Sequence, residues 1–198
     1  MDAVRVALLR EVLAGTEWLT DTRRFGGALR AAAGRSEGLL LVGCEEYEPW
    51  HLAAHLREEA DWSGLPGLRP TLVRHRVAEG LPAHLSVGLG RLEAAGRGET
   101  LLVVSPGAPG AGLLERVHDA RRSGATVFAL EGGAEPGLHP VAHEVLAAPP
   151  DAGPDLETVQ HLVSAAAGEN ARPAGTGRPL RDRLSRLAER LTAPPPRW

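Results

Sequence analysis

The sequence contains no lysine and a single cysteine, and both shortages exclude particular kinds of chemistry. All 22 basic residues are arginines, which excludes Schiff-base catalysis by lysine and a phosphate-binding P-loop lysine. With Cys44 as the only cysteine, the chain has neither an internal disulfide framework nor a zinc site built from several cysteines.

Long apolar runs and a basic surplus are also missing. No stretch of about 18 apolar residues occurs, as a membrane-spanning helix requires. The opening MDAVRVALLREVLAG carries charges where a signal peptide has its apolar core. The formal net charge is −3, without the excess of positive charge that is typical of nucleic-acid-binding proteins. We therefore expect a cytoplasmic protein that binds neither membranes nor nucleic acid.

Short apolar runs bounded by glycine or proline alternate with amphipathic segments along the 198 residues. The predicted strands are 38–43, a weaker 70–77, 100–105, 125–130 and 143–149. The predicted helices are 48–62, 82–96, 111–124 and 155–170, after a helical region 3–33 that is broken at Gly15-Thr16 and at Gly26-Gly27.

This alternation predicts an α/β fold, a doubly wound parallel sheet with helices on both faces, formed by residues 1–170. Residues 171–178 are predicted to be a linker, 179–192 an amphipathic helix with a leucine stripe, and 193–198 a loose proline-rich tail. The amphipathic helix has two interpretations: it docks on its own domain, or it contacts another subunit or a partner.

Ligands of doubly wound folds bind at the carboxyl ends of the strands. In this chain those ends are 43–48, 74–79, 105–112 and 131–137. The helix after the first of them carries His51, His55 and Glu59 at helical spacing on one face. Two imidazoles and a carboxylate can bind zinc. The alternative is a polar helix face with side-chain pairs four residues apart.

Three segments carry a resemblance to a known family. LLLVGCEEYEPWHLAAHLREEADW (39–62) follows the two opening helices, ETLLVVSPGAPGAGLLERVHDARRSGATVFALEGG (99–133) comes next, and HEVLAAPPDAGPDLETVQHLVSAAAGEN (143–170) comes last. Their order and content resemble the sugar isomerase (SIS) domain, and within it the phosphoheptose isomerase group.

The resemblance implies a homo-oligomer, a dimer or a tetramer, with a phosphorylated sugar as ligand. It implies acid–base catalysis of aldose–ketose isomerisation, and it assigns His55 and Glu59 to that catalysis. The positions that it implies for ligand and phosphate binding are Gly43, Cys44, Ser105, Gly107, Gly110 and Gly112.

The first loop departs from the family pattern. Glu45, Glu46 and Glu48 stand where a phosphate or sugar would approach. Two unit charges 4 Å apart repel by about 4 kcal/mol at a surface-like dielectric, whereas a helix dipole attracts an exposed anion by only about 0.3–1 kcal/mol. Repulsion should therefore dominate unless these side chains turn away.

The second loop and the late helix depart as well. Pro106 and Pro109 each remove an N–H donor from the phosphate-binding loop, and only Ser105 keeps a hydroxyl in register. The family's glutamine and histidine on the late helix fall on Thr158 and Ala166 of this sequence, so half of the implied catalytic apparatus is absent.

The sequence therefore predicts a non-catalytic protein of the sugar isomerase fold with a structural, regulatory or sugar-phosphate-sensing role. The alternative is a sugar-phosphate isomerase of the phosphoheptose type, in which His55 and Glu59 move the proton. No cofactor is expected, with zinc bound by His51, His55 and Glu59 as the alternative.

Overall fold

The computed structural model describes residues 3–133, 137–151 and 153–169. Its strands are Gly38–Gly43 (β1), Pro70–Val73 (β2), Glu99–Ser105 (β3), Thr126–Glu131 (β4) and Glu144–Ala147 (β5). Its α-helices are Ala3–Val12 (α1), Glu17–Ala33 (α2), Trp50–Ser63 (α3), Gly90–Glu93 (α4), Ala111–Arg122 (α5) and Leu156–Gly168 (α6). The linker, helix and tail predicted for residues 171–198 lie outside the described residues.

The five strands form one sheet in the order β2-β1-β3-β4-β5, and every neighbouring pair is parallel. Parallel neighbours require crossover connections, and the predicted doubly wound α/β fold is confirmed. The chain runs outward from β1 to β2 and then crosses back to β3. The sheet therefore has its switch point between β1 and β3, where ligands bind in folds of this class.

Alternate strand residues supply two separate cores, one on each face of the sheet. Leu39 and Leu41 of β1 belong to the core beneath α2, α3 and α6. Leu40 and Val42 belong to the opposite core, beneath α5. Because both faces are covered, β1 is apolar along its whole length. Burial of each leucine side chain stabilises the folded state by roughly 1.5–3 kcal/mol. This short apolar run is therefore sufficient to specify a central strand.

The predicted break at Gly15 is confirmed, whereas the break at Gly26-Gly27 is wrong. Gly15 has φ of +82° between α1 and α2. Gly26 is buried inside α2, and a β-carbon there would lie 2.6 Å from Ala166 Cβ and 2.9 Å from the Val163 carbonyl oxygen. Gly26 therefore serves the close packing of α2 against α6, and tertiary packing outweighs its low helix propensity.

Residues 82–96 do not form the predicted continuous helix. They contain a 3₁₀ turn at Ala83–Leu85 and the single turn α4. Between them, Gly88 forms a parallel bridge with Arg74, whose amide donates to the Val87 carbonyl at 2.9 Å. This extended pairing prevents a helix there, and it follows β2, which ends at Val73 instead of the predicted residue 77.

The last helix confirms its predicted cap, because the Asp155 carboxylate accepts a hydrogen bond from the Thr158 amide at 2.7 Å. Across the ranges that the structure describes, no helix combines the length and apolar character needed to cross a bilayer.

We expect Gly26→Ala to lower the free energy of unfolding by about 1–3 kcal/mol, the usual cost of overpacking a core. The matched control is Gly27→Ala, because Gly27 is exposed and a β-carbon there would have no neighbour within 4 Å. Replacing that glycine should raise stability by about 0.5–1 kcal/mol, since alanine favours a helix. Urea unfolding followed by circular dichroism compares the two, and equal effects would contradict the close packing of α2 and α6.

Candidate functional site

Loops from four strands meet at the carboxyl edge of the sheet. The strand registers place Gly43, the last residue of β1, beside Val104, and Ser105 beside Glu131. The loops that follow β1 and β3 are therefore neighbours at the switch point. The structure thus brings both groups of predicted ligand-binding positions to one edge of the sheet.

The loop after β1 folds back over the end of its own strand. The Tyr47 amide donates to the Cys44 carbonyl at 3.1 Å. A β-carbon at Gly43 would overlap the Tyr47 carbonyl oxygen and would lie 2.8 Å from Pro49 Cδ. Gly43 is therefore required by the path of its own loop, which occupies the space directly beyond β1.

The Tyr47 side chain attaches this loop to α6. The Gln160 amide nitrogen donates to the Tyr47 hydroxyl at 2.9 Å, and the ring packs against the core beneath α2, α3 and α6. Burial raises the pKa of the Tyr47 phenol above its ordinary value, more than the Gln160 hydrogen bond lowers it. The phenol is therefore a neutral structural contact.

Two of the three carboxylates in the loop are paired with arginines that follow β2. Arg74 Nη2 lies 3.0 Å from Glu48 Oε1, and Arg76 Nη2 lies 2.8 Å from Glu45 Oε1. The Arg76–Glu45 pair is exposed and contributes at most about 1 kcal/mol. The pairing nevertheless turns these carboxylates toward the β2 side, so the predicted repulsion is largely neutralised.

A cavity of about 100 Å³ lies between the loops after β1 and β2. It is smaller than the roughly 300–1,000 Å³ of a usual small-molecule pocket. The residues that line it are Gly43, Cys44, Glu45, Tyr47, Glu48, Val73, Arg74, His75 and Arg76. Residues 105–112 are not among them, so this cavity lies on the β2 side of β1, away from the switch point.

Ser105 is buried, and its hydroxyl is used within its own loop. Its Oγ donates to the Gly107 carbonyl at 2.6 Å, and its carbonyl accepts from the Gly132 amide at 2.8 Å. A phosphate would have to compete with the first of these hydrogen bonds. The hydroxyl that remains from the implied phosphate-binding loop therefore closes a local turn.

The loops after β3 and β4 pack directly against each other. A β-carbon at Gly137 would lie 2.6 Å from Pro109 Cδ. Gly107, Gly110 and Gly112 are exposed, and no side chain caps the start of α5 at Gly110. The first-turn amides of α5 are therefore the donors that this loop still offers to an anion.

Glu131 is a buried carboxylate at this edge that the sequence analysis did not single out. Its Oε1 accepts hydrogen bonds from the Gly137 amide at 2.8 Å and the Leu138 amide at 2.6 Å. Its Oε2 lies 3.6 Å from His139 Nε2. The only signal in the sequence is an acidic residue directly after the apolar run ATVFAL, and that signal does not distinguish a surface carboxylate from a buried one.

The histidines of α3 face α6. His51 is half exposed, with its Nδ1 3.8 Å from Glu157 Oε1. The His55 ring is largely buried and lies 4.6 Å from the His161 ring, centroid to centroid. Burial, followed by repulsion from His161, lowers the pKa of His55 below its ordinary value of 6.5. His55 is therefore predominantly neutral at pH 7.

Glu59 lies further along the same interface. Its side chain is fully buried, and a β-carbon at Gly168 would overlap its carboxylate. Glu59 is eight residues after His51, which corresponds to about 12 Å along the helix. Among the described residues, no group of three or more histidine, cysteine, aspartate or glutamate side chains is arranged to hold a metal ion. The geometry therefore offers no support for zinc at His51, His55 and Glu59.

No protein-family model and no curated protein matches the chain. Among solved structures, it is similar to the RpiR transcription factor from Sphaerobacter thermophilus (sugar isomerase domain), with a TM-score of 0.54, 18% identity and 93% of each chain covered. The chain has the sugar isomerase domain fold.

Two further structures share this sugar isomerase fold. A putative sugar-binding protein from Salmonella typhimurium LT2 matches with a TM-score of 0.53 and 19% identity, over 94% of this chain and 52% of that one. The Vibrio vulnificus NanR protein, solved in complex with ManNAc-6P, matches with a TM-score of 0.53 and 15% identity. The match covers 95% of this chain and 74% of the NanR chain. The implied fold is confirmed, and a place in the phosphoheptose isomerase group stays a prediction.

We expect Gly43→Ala to lower the free energy of unfolding by about 1–3 kcal/mol, because the added methyl group forces the loop away from β1. Gly107→Ala is the matched control at the neighbouring strand end, since a β-carbon there has no neighbour within 4 Å. Its effect should stay within about 0.5 kcal/mol. Urea unfolding checks both variants. A neutral Gly43→Ala would contradict the observed path of residues 44–48.

The pKa of His55 predicts a loss of stability in acid. Because this pKa is lower in the folded state, the unfolded chain binds more protons below about pH 6.5, and the free energy of unfolding falls as the pH decreases. His55→Gln should reduce the difference between urea unfolding at pH 7.5 and at pH 5.5. The exposed His118 supplies the control, and His118→Gln should leave the difference unchanged. An unchanged difference in His55→Gln would contradict this role of His55.

Proposed function

We propose that this chain is a non-catalytic protein of the sugar isomerase fold with a regulatory role. The observation that carries the proposal is the hydrogen bond from Ser105 Oγ to the Gly107 carbonyl at 2.6 Å. It uses the one hydroxyl that the loop retains, and the adjacent Pro106 and Pro109 lack N–H donors. The Ser105 hydroxyl therefore stabilises a turn of its own loop, and the two prolines offer no N–H donor to a phosphate.

The placement of His55 and Glu59 also supports a non-catalytic role. Sugar isomerisation needs an acid and a base that both reach adjacent substrate carbons. Glu59 is sealed between α3 and α6 beside Gly168, and the positions of the implied partners are Thr158 and Ala166. Ala166 packs against Gly26. Glu59 and Ala166 therefore serve the packing of α6 against α3 and α2.

A regulatory role is supported by the proteins that share the fold. RpiR is a transcription factor, and NanR was solved in complex with ManNAc-6P. A second candidate function is therefore sensing of a phosphorylated sugar. The uncapped start of α5 at Gly110 favours it, because first-turn amides bind anions without any side-chain donor. Assembly into a homo-oligomer and a cytoplasmic location stay predictions.

Calorimetric titration with ManNAc-6P, sedoheptulose 7-phosphate and inorganic phosphate tests the proposal, together with an isomerase assay on both sugars. We expect no turnover and no saturable binding. Thermal unfolding provides a second readout, because ligand at 100 times its dissociation constant adds about 2.7 kcal/mol. Stabilisation by a sugar phosphate without turnover would favour the sensing role. Turnover at an enzyme-like rate would refute the non-catalytic role.

A further inference from the structure

The outer face of α1 is apolar and exposed in the part of the chain that the structure describes. Leu8 is 55% exposed and Val12 is 78% exposed, and these residues lie one helical turn apart on the same side. Val6, on the opposite side of α1, is buried. Only one side of the helix is therefore packed on the domain, and the other presents two adjacent aliphatic side chains.

The chain leaves the described structure directly beside this helix. α6 ends at Gly168, and the carboxylate of the next residue, Glu169, forms an ion pair with Arg10 of α1. Arg10 follows the buried Val6 by one helical turn and therefore lies on the packed side of α1, across the helix from Leu8 and Val12. The segment that follows residue 169 therefore starts beside the middle of α1, and it has to pass around a helix about 10–12 Å across to reach the apolar outer face.

The sequence beyond residue 169 has the composition needed to cover that face. Leu180, Leu184, Leu187 and Leu191 fall on one stripe at helical spacing. The nine residues 170–178 before them can span up to about 30 Å when extended, whereas α1 is about 15 Å long. The connection is therefore long enough for the stripe to reach either end of α1.

Charge favours the same arrangement. Residues 1–169 contain 23 acidic and 15 basic residues, whereas residues 170–198 contain two acidic and seven basic residues. The arginines beside the leucine stripe include Arg181 and Arg186, and Glu11 is exposed on α1 beside Val12. Opposite net charges draw the two parts of the chain together over a Debye length of about 8 Å at physiological salt.

We propose that the leucine stripe of residues 179–192 docks intramolecularly on the outer face of α1, over Leu8 and Val12. The segment thereby closes the apolar surface left open by the domain. The proposal is independent of the proposed regulatory role, since it concerns the opposite end of α6 from the candidate ligand site.

Disulfide trapping in a Cys44→Ser background tests the docking. The test pair is Val12→Cys with Leu184→Cys, and the control pair is Val77→Cys with Leu184→Cys, because Val77 is also an exposed aliphatic residue, at 40%, but lies after β2. Under mild oxidation at low protein concentration, the test pair should form an intramolecular disulfide at least tenfold faster than the control pair. Equal rates would refute the docking, and a disulfide-linked dimer would assign the face to a second copy.

Hydrogen exchange of the full-length protein gives a second readout. Leu184→Glu should speed amide exchange in α1 several-fold and leave α5 unchanged. Ser185→Glu is the matched control, because it adds the same charge beside the stripe. Equal exchange in the two variants would refute docking through the leucines. Protection of α1 that appears only on addition of a nucleic acid or another anionic polymer would refute it as well, since the arginines would then bind that polymer instead.

Discussion

The close packing of α6 against α2 and α3 is the constraint on which the remaining structure depends. Gly26 lets α2 approach Ala166, and Gly168 leaves room for the buried carboxylate of Glu59. Small residues from Ser164 to Gly168 make this possible, since all five are buried. Because α6 lies so close to α3, Gln160 reaches the Tyr47 hydroxyl. The packing of three helices thus extends to the loop after β1.

The carboxyl edge of the sheet is stabilised by contacts among its own loops. Two carboxylates after β1 form ion pairs with arginines after β2. The Ser105 hydroxyl donates a hydrogen bond within its own turn. The Glu131 carboxylate accepts hydrogen bonds from two backbone amides of the segment after β4. These contacts within the chain stabilise the edge, while the first-turn amides of α5 have no side-chain cap.

The residues that specify the sugar isomerase fold of this chain differ from those that would bind a sugar phosphate. The parallel sheet and its two cores depend on apolar strands such as β1 and β3, whereas ligand binding depends on a few polar groups in loops. The proteins with this fold include the RpiR transcription factor and the NanR protein solved in complex with ManNAc-6P. Substitution of polar groups in the loops would leave the sheet intact, since the two cores consist of apolar residues.

The sequence by itself determined the class of the fold. Short apolar runs predicted β1, β3 and β4 to within one residue at each end, and Asp155 predicted the start of α6. Both signals can be read from the sequence because an apolar run and a capping side chain are local features. Tertiary structure alone decided that Gly26 continues α2, that Gly88 pairs with Arg74, and that Glu59 is buried. These outcomes depend on how closely segments far apart in sequence approach each other, which periodicity does not record.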